Sequence, residues 1–321
     1  GHVSVRWSWC SGTVGTDGFQ WARVATDGGA RIISALSLGG IDLSNYKVGS
    51  FVCPTAVGLY DVTDPGFDPD FYLLWVSRRG TGDSLSTRGE ISEYLGWACR
   101  DESQGVTATC ADDAGSPTVC KGYQRTSSVL AHLSAGSVVM EAAHSAMLSN
   151  GMRLNFTTVD GVARIVNYIA VKGINAHAYA FDFTAPLGNF SNTGFGFQPG
   201  AHIFQGFNAA ASSSPVAHAI HMLGFAVSSR QETNNFGPNT SWSGPCCRVT
   251  GSKDAVATTR AKNYVFTDRC LETVLFGVSL MNLRRAATFV SNDPDGNTLN
   301  CTVATGATHQ ILGLALGDQA R

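Results

Sequence analysis

The chain has 321 residues, enough for two ordinary domains or one large β domain. Only 14% of its residues are charged, 36 are Gly, and the net charge is −2, which excludes the basic footprint of a nucleic-acid binder. An apolar content of 44% excludes wholesale disorder, and no apolar run approaches the roughly 18 residues that a membrane-crossing helix needs.

Taken in chain order, the first feature is a Trp-bearing segment with Trp7, Trp9 and Trp21. Trp7 and Trp9 would share one face of a strand, as a sugar platform, a subunit contact or ordinary packing. Residue 1 is Gly and no signal peptide is seen, which suits a processed, trimmed or internal piece. Next come Asp17-Gly18, Asp27-Gly28, then Ala30-Arg31-Ile32-Ile33 and Leu36 to Gly40. The same order returns as Asn150-Gly151, Asp160-Gly161, Ala163-Arg164-Ile165-Val166 and Ile169 to Gly173. It returns a third time as Asp295-Gly296, Thr305-Gly306, Ile311 and Leu314 to Gly317. The second and third copies also share Leu154-Asn155-Phe156-Thr157 against Leu299-Asn300-Cys301-Thr302. Asx-Gly turns between alternating apolar runs predict β-hairpins.

Between these copies a further set of motifs occurs twice. Phe51-Val52-Cys53-Pro54 matches Phe183-Thr184-Ala185-Pro186, and Gly66-Phe67-Asp68-Pro69 matches Gly196-Phe197-Gln198-Pro199. Leu95-Gly96-Trp97-Ala98 matches Leu223-Gly224-Phe225-Ala226. Three hairpins and two copies of the rest predict an N-terminal hairpin segment at 1–40 and two β-sandwich units at 41–172 and 173–321. The predicted fold class is all-β, two tandem jelly-roll-like sandwiches plus an extra N-terminal β-hairpin. The best helix candidate, Thr267 to Met281, carries Thr273, Val274, Gly277 and Val278, which favour a strand.

Nine cysteines leave at least one without a partner inside the chain. Cys99, Cys110 and Cys120 lie in one polar, Gly-rich stretch, and Cys246, Cys247 and Cys270 flank another. They are candidate disulfide cysteines, which would point to an oxidising setting, or else buried thiols. A zinc knuckle is not expected, since no pair of C-x-x-C motifs occurs and Cys246 adjoins Cys247.

Catalytic signatures are weak. Gly82-Asp83-Ser84-Leu85 spells the nucleophile block of GDSL esterases, but no Asp has a His three residues on. His218 and His221 would point to opposite faces of a strand. Asp61, Asp64, Asp68 and Asp70 form an acidic cluster that reads as a solvated turn, because the second unit lacks it. The few glutamates (Glu90, Glu93, Glu102, Glu141, Glu232 and Glu272) stand in no repeated motif. No catalytic, cofactor or metal residue is expected.

The run Leu154-Asn155-Phe156-Thr157-Thr158-Val159-Asp160-Gly161, leading to Tyr168-Ile169-Ala170-Val171-Lys172-Gly173, resembles a signature of a repeated β-sandwich module in tailed-bacteriophage virion proteins. Gly194-Phe195-Gly196-Phe197-Gln198-Pro199 is similar to a second element of that module. The first copy departs from it, with Gln20-Trp21-Ala22-Arg23 in place of Leu-Asn-Phe-Thr. The resemblance implies a non-enzymatic capsid-decorating, tail or fibre protein, located in the virion and outside the cell. It would assemble with itself and with other virion proteins. A glycan- or receptor-binding module is the alternative.

Overall fold

The computed structural model describes residues 43–77, 90–112, 118–184, 186–206, 214–227, 246–252, 261–266, 268–276, 281–305 and 308–317. The predicted segment 1–40, with Trp7, Trp9 and Trp21, and the Gly82 to Leu85 block lie outside the described residues. Every regular element among the described residues is a β-strand.

The first ten strands are β1 (Asn45–Val52), β2 (Gly58–Val62), β3 (Phe71–Ser77), β4 (Glu90–Cys99), β5 (Gln104–Asp112), β6 (Val119–Arg125), β7 (Leu130–Ser134), β8 (Ser137–Leu148), β9 (Gly151–Thr158) and β10 (Ile165–Lys172). The second set is β11 (Asn175–Phe183), β12 (Gly188–Thr193), β13 (Ala201–Gly206), the short β14 (Val216–Ala217), β15 (Ala219–Val227), β16 (Cys246–Ser252), β17 (Ala261–Phe266), β18 (Leu271–Phe276), β19 (Met281–Asp293), β20 (Gly296–Ala304) and β21 (His309–Gly317). They form four antiparallel sheets. In the first repeat the orders are β1-β10-β3-β4-β5-β6 and β2-β9-β8-β7. In the second they are β11-β21-β13-β15-β16-β17 and β12-β20-β19-β18. Apart from β14, which crosses to pair with β6, the second set copies the first strand for strand.

Each repeat buries one core between its larger and smaller sheet. In the first, Tyr72, Leu74 and Tyr168 of the large sheet meet Leu130, Met140, Leu154 and Phe156 of the small one. In the second, Phe204, Met222, Val249 and Ile311 meet Leu271, Val274, Ala287 and Leu299. Strand β9 shows why the sequence forms this layer. Met152, Leu154 and Phe156 are buried, while Arg153, Asn155 and Thr157 alternate outward, so one pleated face is apolar. Each large side chain so buried stabilises by about 1.5–3 kcal/mol.

The twice-repeated Asx-Gly pairs do not do one job. Asn150-Gly151 is the tight turn between β8 and β9, in one sheet. Asp160-Gly161 instead carries the chain from β9 in the small sheet to β10 in the large one. The predicted hairpin is therefore an arch between sheets. Hydrophobic alternation marks both strands but does not say which sheet each joins. Arg164 Nε donates to Asp160 Oδ2 at 2.8 Å, and Val162 N donates to Asp160 Oδ1 at 3.0 Å. This staple accounts for the spacing of Asp160 and Arg164; the third copy has Thr305 and His309 at these positions. The outer pairs β1–β10 and β2–β9 wrap the sandwich as in a jelly roll, whereas β3 to β6 and β7 to β9 are plain meanders.

The shared glycines mark identical close approaches. A Cβ on Gly96 would lie 1.9 Å from the Val129 carbonyl oxygen, and one on Gly224 would lie 1.8 Å from that of Cys270. Gly151 and Gly296 likewise face the carbonyls of Val62 and Asn192, each at 1.9 Å. At Gly96 and Gly224 the chain entering the small sheet passes directly over a strand of the large one, and at Gly151 and Gly296 the neighbouring strand of the same sheet ends against the glycine, so no side chain fits at any of the four. Gly96→Ala and Gly224→Ala are each expected to lower the unfolding free energy by about 1–3 kcal/mol in urea titrations. Gly200→Ala, whose Cβ would meet only the Leu316 carbonyl at 3.8 Å, is the control and should be nearly silent.

Candidate functional site

The outer faces of the two large sheets, turned away from the cores, meet along a seam of polar contacts and buried apolar groups such as Leu312 beside Gly105. Thr107 on β5 donates its hydroxyl to Gln205 Oε1 on β13 and lies 3.2 Å from His221 Nε2 on β15. Gln124 Nε2 on β6 donates to the Gln310 carbonyl at 3.1 Å. Val216 and Ala217 of β14 pair with Gly122 and Lys121 of β6.

Only Gly173 and Ile174 join β10 to β11, and Asp70 holds both. Its Oδ2 accepts from Gly173 N at 2.7 Å and Ile174 N at 3.3 Å, while its Oδ1 accepts from Arg100 Nε at 2.8 Å. Arg100 also pairs with Asp68 at 2.8 Å. Beside this clamp the β4–β5 turn reaches β11. Ser103 Oγ accepts from Ala178 N at 2.8 Å, and Asp101 Oδ2 lies 2.6 Å from His177 Nδ1. Partial burial pushes the Asp101 carboxyl up, but hydrogen bonds from His177 and Ser103 outweigh it and hold the pKa below the ordinary value.

Past the seam contacts the sheets part to leave a cleft of about 380 Å³. Strand register builds its walls. Trp75 on β3 pairs with Leu95 on β4 and with Asn167 on β10, so these three stand in one row across adjacent strands. Glu93 stands two residues from Leu95, on the same face. Opposite, β15 and β16 set Leu223 beside Arg248 and His221 beside Thr250. The lining is thus an indole and two leucines ringed by amide, carboxylate, guanidinium, hydroxyl and imidazole groups. Burial pushes the His221 pKa down; the Glu93 carboxylate opposes this and Arg248 adds to it. The ring is therefore neutral near pH 7.

The other sequence candidates sit elsewhere. Asp61 makes a two-point ion pair with Arg153, at 2.6 and 2.8 Å. Asp64 takes the Tyr168 hydroxyl and lies 3.6 Å from Lys47. With Asp68 and Asp70 sharing Arg100, the four carboxylates turn to three cations and do not converge on one point. Among the described residues no group of three or more His, Cys, Asp or Glu is placed to hold a metal ion. His218 is a turn residue with φ of 71° between β14 and β15, while His221 faces the seam. Glu141 accepts from Tyr123 at 3.0 Å and Ser128 at 2.6 Å, and Glu272 pairs with Arg269 at 2.9 Å.

The cysteines of the two polar stretches lie in strands or directly beside them. Cys99 closes β4, Cys110 lies in β5 and Cys120 in β6, all buried. Cys246 and Cys247 open β16, and Cys270 directly precedes β18. Cys99, Cys246, Cys247 and Cys270 are thiols in this structure. Burial raises Cys99, Cys247 and Cys270 well above the ordinary thiol range, so these behave as small core hydrophobes. Nothing in the sequence pattern singled out the cleft, whose walls are 175 residues apart at their extremes, Trp75 and Thr250.

Alkylation under native conditions should label half-buried Cys246 before Cys247 or Cys270, as read by peptide mass spectrometry. Asp70→Ala strips the acceptor from the Gly173 and Ile174 amides and should cost about 2–3 kcal/mol in denaturant titrations. Acid should also destabilise the chain. Burial pushes the imidazoles of His144, His202 and His309 down to about 4, below the ordinary 6.5. Protons therefore favour the unfolded state. This stability is complete above about pH 6.5 and is lost as pH falls toward 4, by up to about 1.4 kcal/mol per pH unit for each ring. Burial pushes Glu272 up to about 7, which works in the opposite sense over the same range but is one group against three. The midpoint of thermal unfolding should fall steeply between pH 6.5 and 4 and decline slightly as pH rises through 7, where folded Glu272 loses its proton.

No family model, curated protein or solved structure matches the chain.

Proposed function

We propose that the chain is a non-enzymatic structural protein of a virion, a capsid-decorating, tail or fibre component outside the cell. It assembles through its β-sandwich repeats with copies of itself and with other virion proteins. One observation carries the assembly part of this reading. In the first repeat the outermost strands of both sheets, β1 and β2, carry exposed apolar side chains. Tyr46, Val48 and Val52 share one face of β1 and are 71%, 50% and 43% exposed, and Leu59 on β2 is 65% exposed. Strand edges that remain in solvent usually carry charge or Pro, because an apolar edge recruits further chains. Strand register matches Phe51 with Phe181 and not with Phe183 as the sequence motif does, so the second repeat has Ala176, Ala178, Ala180 and Asp182 at the positions of Tyr46, Val48, Ser50 and Val52, with Ala178 covered by the β4–β5 turn. The virion part rests on the resemblance of residues 154–173 and 194–199 to the phage module.

A second reading, glycan recognition, is favoured by the cleft, where an indole stands among hydrogen-bonding side chains.

Sedimentation equilibrium of the full chain should show concentration-dependent self-association into a defined oligomer. Tyr46→Lys together with Val48→Lys should weaken it by about tenfold or more without lowering the thermal midpoint. A protein that stays monomeric to about 100 μM and binds no virion surface would contradict this reading.

A further inference from the structure

We infer that the cleft between the two large sheets is a binding site for a neutral pyranose, either a free sugar or the end of a glycan chain. The inference rests on the second reading above and is independent of any place in a virion.

The geometry has three parts. First, size: about 380 Å³ falls within the roughly 300–1,000 Å³ of small-ligand sites. Second, the row Asn167–Trp75–Leu95 sets an indole between an amide and an aliphatic group, on strands about 4.8 Å apart. A pyranose presents that same pattern: a face of C–H groups to lie on the indole and a rim of hydroxyls to meet the amide. Third, the hydroxyl partners are of the right kinds. A carboxylate accepts two O–H groups, a guanidinium donates to ring or hydroxyl oxygens, and an amide does both. Glu93, Arg248 and Asn167 supply one of each in the lining.

Charge narrows the class. Glu93 and Arg248 contribute one negative and one positive charge, and the neutral His221 adds none. A cleft of zero formal charge gives no net attraction to a phosphate, a sulfated sugar or a polycation. The site is also preorganised, because its walls are strands and not loops. Asn167, Trp75 and Leu95 are fixed by ladder pairing, and the opposite rows by the β15–β16 register. In the second repeat Gln205 takes the place of Trp75 and contacts Thr107 across the seam. The two faces thus diverged from one plan, one toward packing and one toward an open aromatic.

Saturation-transfer difference NMR on the full chain, with glucose, galactose, mannose, N-acetylglucosamine and their disaccharides at about 10 mM, tests the inference. At least one neutral sugar should receive saturation, strongest on the protons of one ring face. Its affinity should fall about tenfold or more in Trp75→Ala and be largely kept in Trp75→Phe, whose ring still stacks. Asn167→Ala should weaken it as well, and far-UV circular dichroism of each variant checks folding. If the wild type binds a sugar and Trp75→Ala binds it equally well, this site is wrong while glycan recognition survives. If no neutral sugar binds, both fall. Binding confined to acidic sugars or to zwitterionic amino acids would also overturn the inference.

Discussion

The carboxylate of Asp70 is the contact on which the arrangement of the two repeats depends. It is one residue from β3, and its two oxygens accept from both linker amides and from Arg100. Buried peptide N–H groups need acceptors, and the two linker amides lie beyond the ladders of both strands. Asp70 supplies them, so β11 leaves β10 along a set path. That path brings the β4–β5 turn onto β11 and the two outer sheet faces together. The seam follows, and the cleft is what remains where the faces part.

The same fold plan, used twice, yields different surfaces because outward residues changed in kind, while inward changes kept a filled core. Tyr72 and His202 occupy matching inward positions, and each joins a buried Tyr–His contact, Tyr72 with His144 and Tyr179 with His202. Outward positions swap freely: Trp75 against Gln205, Glu93 against His221, Val48 against Ala178. Core positions answer to packing, and a change there costs stability. Outer positions answer to whatever they face, which here is the other repeat, a ligand or another chain.

Much of the fold was legible in the sequence, for a physical reason. Gly96, Gly151, Gly224 and Gly296 recur because a carbonyl lies where a Cβ would be, so the motif and the close approach are one constraint. Strand type was legible in the alternation of Met152 to Thr157. Sheet membership was not, because a period of two is the same in either sheet. That is why the Asp160-Gly161 arch read as a hairpin. The cleft was also hidden: Trp75 and Arg248 become neighbours only through two ladders and a seam. The acidic cluster was half legible. Its lack in the second repeat argued against an ion site, but the cations that neutralise it, Arg153 and Arg100, lie on distant strands.

The two repeats pack through the outer faces of their large sheets. Gly105 on β5 and Leu312 on β21 meet there, with Leu312 Cδ1 at 3.1 Å from where a Gly105 Cβ would stand. A nuclear Overhauser effect between the Leu312 methyl and the Gly105 Hα, in methyl-labelled protein, reads this contact directly. A strong cross-peak is expected at neutral pH. An assigned Leu312 methyl with no cross-peak to Gly105 would contradict the seam, and with it the cleft.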